Sequence, residues 1–211
     1  MEEEGVIKFD LRFTAGPPVA AEVITELNEW RNILWQQALI GQDTGRYQGY
    51  GFGNISQRIG EQHAAIGQRE FIISGTQTGH LQRLDNSHYA RVTAYNADRN
   101  RVVATGPVMP SSESMTHGII YDLDSKLNVV LHVHSPDIWK TAVRQGIPVT
   151  RASVEYGTAE MSREGVRLFS ETGVMEQGIF SMGGHEDGIV AFGNSADEAG
   201  NRLLAALAGS S

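Results

Sequence analysis

Asn128-Val129-Val130-Leu131-His132-Val133-His134 is the stretch from which the rest of the chain can be read. Its middle is wholly apolar, as in a strand buried on both faces, and its end abruptly carries two imidazoles. Residues two apart on a strand project from the same face, so His132 and His134 point the same way. Same-face histidines at the end of a core strand can take adjacent positions on one metal ion, which a third histidine or a carboxylate must complete. The plain alternative is a pair of histidines hydrogen-bonded to nearby backbone.

Outward from this strand, Ser135-Pro136-Asp137 opens a helix with proline in its first turn. Upstream, residues 112–123 read as a helix with Ser111 or Ser112 as N-cap, which puts Glu113 where the helix dipole favours a carboxylate. His117, four residues on, shares that helix face, and packing or support of the site is the duty assigned to it. Downstream, Met182-Gly183-Gly184-His185-Glu186-Asp187-Gly188 joins strands predicted at 178–182 and 189–192. Its glycines allow close backbone approach, so His185 is a candidate third ligand. Glu186 and Asp187 are either alternative ligands or the polar tip of a hairpin.

Apolar spacing predicts a long helix over about 19–40, carrying Val23, Leu27, Trp30, Leu34 and Ala38 on one face. A glycine-rich loop, Tyr47 to Asn54, runs into a strand at 55–59. Further short strands are expected at 70–74, 90–95 and 101–104, the last two joined by a turn at 96–100. Helices are expected at 158–172 and from Ser195 onward. Residues 1–16 read as a loosely attached arm and 17–211 as a single domain. Short antiparallel strands mixed with helices make an α/β sandwich.

Composition narrows the chemistry. The chain has 211 residues and no cysteine, so a metal site must draw on His, Asp or Glu. Net charge is −8 and the pI near 5.3, which argues against a nucleic-acid surface. The opening Met1-Glu2-Glu3-Glu4 is the reverse of a basic signal-peptide start, and no apolar run reaches the roughly 18 residues of a membrane span. These features point to a cytoplasmic protein without membrane contacts. An anionic small molecule stays open as substrate, because backbone N–H groups and hydroxyls can hold it.

Taken in order, Gly53-Asn54-Ile55-Ser56, Ile73-Ser74-Gly75 through Thr78-Gly79, Pro110-Ser111-Ser112-Glu113, His132-Val133-His134-Ser135 and His185 form a series. From about residue 20 to 207 the chain resembles the class II aldolase/adducin family, in its zinc-dependent, fuculose-phosphate aldolase-like form. The resemblance implies a three-layer α/β sandwich, with a mostly antiparallel central sheet flanked by helices. It also implies a homotetramer with zinc sites near subunit interfaces. His132, His134 and His185 would be the metal ligands. Glu113 would be the catalytic acid/base and would also ligate the metal when substrate is absent. Asn54, Ser74, Gly75, Ser111 and Ser112 would line the phosphate or carboxylate end of the substrate. The implied cofactor is Zn2+, with manganese, cobalt or iron as other divalent metals suited to three histidines and a carboxylate.

The implied activity is that of an aldehyde-lyase, cleaving or rearranging a small (phospho)ketose or sugar acid through a metal-stabilised enediolate. Epimerase, decarboxylase and dehydratase reactions occur in the same family, as does a non-enzymatic adducin-like binding domain. The chain departs from the family pattern in several places. Gly51 stands where many phosphate-binding members have Thr. Either Gly75 or Gly79 could present an N–H to substrate. His185 precedes Glu186-Asp187-Gly188 where His-Gly is common. The connection from 148 to 156 is short, and Arg151, Glu155 and Tyr156 are its candidates for a second catalytic residue. A cupin-like oxygenase shares the ligand types, but its glutamate normally follows the histidine pair, whereas here Glu113 precedes it.

Overall fold

The computed structural model describes residues 5–210. Eight strands form the central sheet: β1 (Asp10–Ala15), β4 (Asn54–Arg58), β5 (Phe71–Ser74), β6 (Tyr89–Asn96), β7 (Arg101–Gly106), β8 (Val129–His134), β9 (Ile179–Ser181) and β10 (Gly188–Gly193). They lie in the order β1-β7-β6-β5-β4-β8-β10-β9. Only the β1–β7 pair is parallel among the described neighbours; every other pair is antiparallel. A separate two-stranded ribbon, β2 (Gly41–Gln42) with β3 (Gly51–Phe52), leads into β4.

The period-2 alternation along β8 assigns the two faces of the sheet. Val129, Leu131 and Val133 belong to one core, packed with α1 (Thr25–Gln36), α3 (Pro136–Thr141) and α6 (Ala196–Gly209). Val130 belongs to a second core, packed with α2 (Ser114–Leu123), α4 (Ala159–Glu171) and α5 (Val174–Gln177). His132 and His134 share the face of Val130. The chain is therefore a three-layer α/β sandwich with a mostly antiparallel sheet, as expected. Helices on both sheet faces exclude the cupin barrel.

Two expectations are corrected. The first helix ends at Gln36, not near 40, because Ala38 turns left-handed (φ 54°). There the N–H of Ala38 bonds the Trp35 carbonyl and that of Leu39 bonds the Leu34 carbonyl, the paired bonds of a Schellman stop. The usual glycine of that motif is absent, so the sequence carries no stop signal. The N-terminal arm is only partly an arm. Residues 10–15 are an edge strand whose Leu11 and Phe13 pack on the second core, while Asp10 pairs with Arg101 at 2.8 Å. Residues 1–4 lie outside the described part. Among the described residues no helix is long and apolar enough to cross a membrane.

Candidate metal centre

β8 delivers its two histidines next to both neighbouring strands. His132 lies opposite Asn54 of β4 and Val190 of β10, and His134 lies opposite Gly188. The loop 182–188 folds back on itself: Met182 N–H bonds the Gly188 carbonyl at 2.8 Å, and Gly188 N–H bonds the His185 carbonyl at 3.0 Å. A Cβ on Gly188 would lie 2.7 Å from Cδ2 of His185, so glycine there is what lets the third imidazole in.

The three rings converge. One potential ligand atom from each of His132, His134 and His185 lies within 4.8 Å of the others. The Nε2 atoms of His132 and His134 are 3.1 Å apart. Ligands at zinc–nitrogen distances on a tetrahedral ion are about 3.4 Å apart. The β8 pair already matches that spacing, and His185 needs an approach of about 1.5 Å at most to complete it. All three rings are buried, at 0%, 1% and 3% exposure. Burial holds the pKa values of His132 and His134 well below the ordinary imidazole range, with the neighbouring His185 acting in the same direction. A hydrogen bond to the Ile189 backbone opposes this at His132. These two imidazoles are therefore neutral at pH 7 and offer lone pairs, as metal ligation requires.

Glu113 sits at the N-cap of α2, not in its first turn, because the helix begins at Ser114. Neither serine caps the helix; Ser111 Oγ instead accepts the N–H of Glu113 at 3.2 Å. The Glu113 side chain makes no cap hydrogen bond. Its carboxylate is 1% exposed and lies 3.6 Å from His185 Nε2. His117, one helical turn on, is fully buried and bonds Ser56 Oγ through Nδ1 at 2.7 Å, while Ser56 also bonds the Tyr121 hydroxyl at 2.6 Å. Burial pushes the His117 pKa down to about 3.

Ser74, Gly75 and Ser111 meet where β5 ends: Ser111 N–H bonds the Ser74 carbonyl at 3.2 Å, and Gly75 bridges Pro110. Gly75 donates its N–H to the His88 carbonyl at 2.8 Å, so that group is engaged within the fold. Ser74 Oγ accepts Ile55 N–H at 3.1 Å, beside Asn54; Ser112 is buried nearby in sequence. Gly79 packs so tightly that a Cβ would lie 2.2 Å from the Gly41 carbonyl, which gives that glycine a packing role.

Outside the triad, Glu186 is exposed, and Asp187 accepts a 2.6 Å hydrogen bond from the Tyr47 hydroxyl. Arg151 and Glu155 are exposed and paired with Glu164 and Lys8 respectively. Tyr156 is fully buried, and its ring centroid is 4.5 Å from that of His185.

Two residues at the centre were not singled out from sequence. The Tyr47 and Phe52 rings cover His134, at 4.7 Å and 5.6 Å between centroids. The only signal was the alternation of aromatics and glycines in Tyr47–Gly53, which reads locally as a loop. Burial, then the hydrogen bond to Asp187, hold the Tyr47 phenol above its usual range, so it stays protonated and donates.

With this geometry in place, comparison with known proteins becomes specific. The sequence pattern described as Class II Aldolase and Adducin N-terminal domain matches residues 43–206, a span that holds every element of the centre. The chain belongs to the class II aldolase and adducin family. No individual curated protein matches it in sequence. Among solved structures, a sugar-phosphate aldolase from Thermotoga maritima superposes with a TM-score of 0.63 at 17% identity, over 90% of this chain and 92% of that one. The l-fuculose-1-phosphate aldolase from Thermus thermophilus superposes with a TM-score of 0.64 at 16% identity, again over 90% and 92%. A putative aldolase/epimerase/decarboxylase from Escherichia coli gives 0.61 at 16% identity, over 88% and 84%. At such identities the likeness is one of fold. What this class II aldolase-family chain itself contributes is a set of three buried histidines with a carboxylate beside it.

Proposed function

We propose that the chain is a zinc-dependent lyase of aldolase type, acting on a small ketose, sugar acid or their phosphates. The observation that carries this reading is the pairing of three buried imidazoles with Glu113, whose side chain leaves the helix end uncapped to reach His185. His132, His134 and His185 would hold the ion, with Glu113 beside it. A bound divalent metal supplies Lewis-acid stabilisation of the negative charge that develops on a substrate carbonyl oxygen. Glu113 then serves as the proton carrier at the adjacent carbon or hydroxyl. Its position 3.6 Å from a ligand histidine lets it reach an atom bound at the same centre. Asn54, Ser74, Ser111 and Ser112 orient the far end of the substrate. The family fold and the unbroken ligand set support an enzyme over a metal-free binding module. We further infer a homotetramer and a cytoplasmic location; light scattering and fractionation test these two.

The test is incubation of zinc-reconstituted protein with a panel of small ketoses, ketose 1-phosphates and sugar acids. Released aldehyde and solvent deuterium exchange at carbon are then followed by NMR. Aldehyde release from at least one compound, abolished by chelation and restored by zinc, is the expected result. A zinc-loaded protein that neither cleaves nor exchanges any of them sinks the reading.

A further inference from the structure

In the single chain the candidate metal centre is closed: the three imidazoles, Glu113 and Tyr156 are each 3% exposed or less. A substrate must displace part of the cover before its carbonyl can reach the histidines. Over His134 the cover is firm. Tyr47 donates to Asp187 at 2.6 Å, and the Asp187 carbonyl accepts the Ser135 N–H at 2.8 Å. Over His185 lies the Tyr156 ring, and against Tyr156 lies a segment that belongs to no helix or strand, residues 5–8.

Side chains, not a strand ladder, hold this segment. The Tyr156 hydroxyl donates to the Val6 carbonyl at 3.3 Å, and Asn100 Nδ2 donates to the Lys8 carbonyl at 2.7 Å. Ile7 packs on the second core. Lys8 Nζ lies 4.0 Å over the centre of the Tyr156 ring and pairs with Glu155 at 3.0 Å. That carboxylate is 63% exposed, and an ion pair so exposed is weak. Phe9, in contrast, is buried, and Asp10 begins β1 with its N–H on the Asn100 carbonyl at 2.8 Å. The segment is thus lightly held over 5–8 and fixed from 9 onward.

Its course follows the end of the site assigned to the substrate's anion. Gly5 rests on the Gln77 side chain so closely that a Cβ has no room. Gln77 stands in the loop that follows Ser74 and Gly75, where Thr76 N–H bonds the Met109 carbonyl at 3.0 Å, just before Ser111 and Ser112. At the other end of the segment, a Cβ on Gly157 would lie 3.8 Å from the Lys8 Cβ and 3.3 Å from the Ser112 carbonyl. Residues 5–8 therefore run from the loop after β5 toward the start of α2, and rest on the tyrosine that packs on the third histidine.

We propose that residues 5–8 are a lid over the metal centre, hinged at Phe9 and latched by Lys8, which lifts to admit the substrate beside the serines that receive its anion. Lifting breaks the hydrogen bonds to the Val6 and Lys8 carbonyls and the pair with Glu155, and leaves the sheet and its helices in place. It also removes the Lys8 ammonium from the outer side of Tyr156, so that this ring can turn away from His185. Closing over the bound substrate excludes water from the centre.

This inference rests on the aldolase-type reading, so its test keeps the two apart. The 3.8 Å between Cβ positions at 8 and 157 is what a disulfide spans, and the chain has no cysteine of its own. Lys8→Cys with Gly157→Cys therefore locks the lid on oxidation and releases it on reduction with a phosphine. Two rates are followed: zinc uptake by metal-free protein, and association of phosphoglycolohydroxamate with zinc-loaded protein in stopped flow. The oxidised variant is expected to slow both about tenfold or more, and reduction of the same molecules to restore hydroxamate association to within about threefold of wild type. Gly157 is left-handed (φ 68°), which strains a side chain there, so Lys8→Ala is the second variant. With the latch gone, both rates are expected to rise about threefold at unchanged final zinc content. Oxidised protein as fast as reduced, or unaltered rates in Lys8→Ala, overturns the proposal alone. Zinc-loaded wild type that does not bind the hydroxamate overturns the aldolase-type reading, while zinc uptake still decides the lid.

Discussion

Glu113 stands at a helix N-terminus, where the dipole favours a carboxylate, yet its side chain makes no cap bond and lies instead beside His185. Ser111 Oγ accepts the N–H of Glu113 itself. Glu113→Gln keeps the size and removes the base. Metal content, held by three histidines, should stay near that of wild type, while turnover on the identified substrate falls about a hundredfold or more. Retained turnover would make Glu113 a structural residue. His117 tests the electrostatics of the same region. It is neutral in the fold with a pKa of about 3, whereas in the unfolded chain it takes up a proton below the ordinary imidazole value of 6.5. The unfolded state thus binds more protons between those limits. The contribution is complete above pH 6.5 and is lost as pH falls toward 3. His132 and His134 are shifted in the same direction. Urea unfolding of metal-free protein should therefore lose up to about 1.4 kcal/mol per pH unit for each such imidazole as pH falls below 6.5 toward 3. A flat stability profile between neutral pH and about pH 5 would contradict the buried neutral imidazoles.

Among the elements, the packing of α6 on α1 shows how one small residue sets a contact. Trp30 of α1 donates its indole N–H to Asp197 at 2.7 Å, and its ring lies over Gly200 in the middle of α6. A Cβ there would sit 2.1 Å from the ring. Replacing a mid-helix glycine by alanine gains about 1 kcal/mol of helix propensity. Overpacking a core contact costs about 1–3 kcal/mol, and Trp30 is too confined by its hydrogen bond and its neighbours to give way cheaply. Overpacking should prevail. Gly200→Ala is expected to destabilise by about 1–2 kcal/mol in denaturant titration, and a stabilised variant would show that the two helices slide freely.

For the molecule as a whole, two apolar cores clasp the sheet independently of any ion. The metal should therefore add stability without being needed to fold, unlike a structural zinc site. Ligand linkage at a thousandfold excess over Kd is worth about 4 kcal/mol. For a chain of this size that corresponds to a fall in Tm of about 10 °C on chelation. His132→Asn and His134→Asn should lose most of the metal and melt cooperatively near the chelated wild type. Full metal occupancy in either variant would remove that residue from the ligand set.

Much of this protein could be read before folding, because its strongest signals are local. The alternation in β8 placed His132 and His134 on one face, and the glycines around His185 marked a close approach. Proline and serine marked the start of α3, and the order of five motifs pointed to the family. Signals were missing where a local rule was broken or where a contact was distant. Ala38 takes a left-handed stop without glycine, so α1 reads too long. β1 is a six-residue edge strand whose partner, β7, lies about ninety positions away. Nothing within Tyr47–Gly53 announces that Tyr47 meets His134 and Asp187, across 87 and 140 residues. Which groups could hold a metal was legible in the chain alone, since strand and helix periodicity is a property of neighbouring residues. Which side chains cover that candidate metal centre became visible in the folded molecule, because those contacts exist only once the sheet has brought separate loops together.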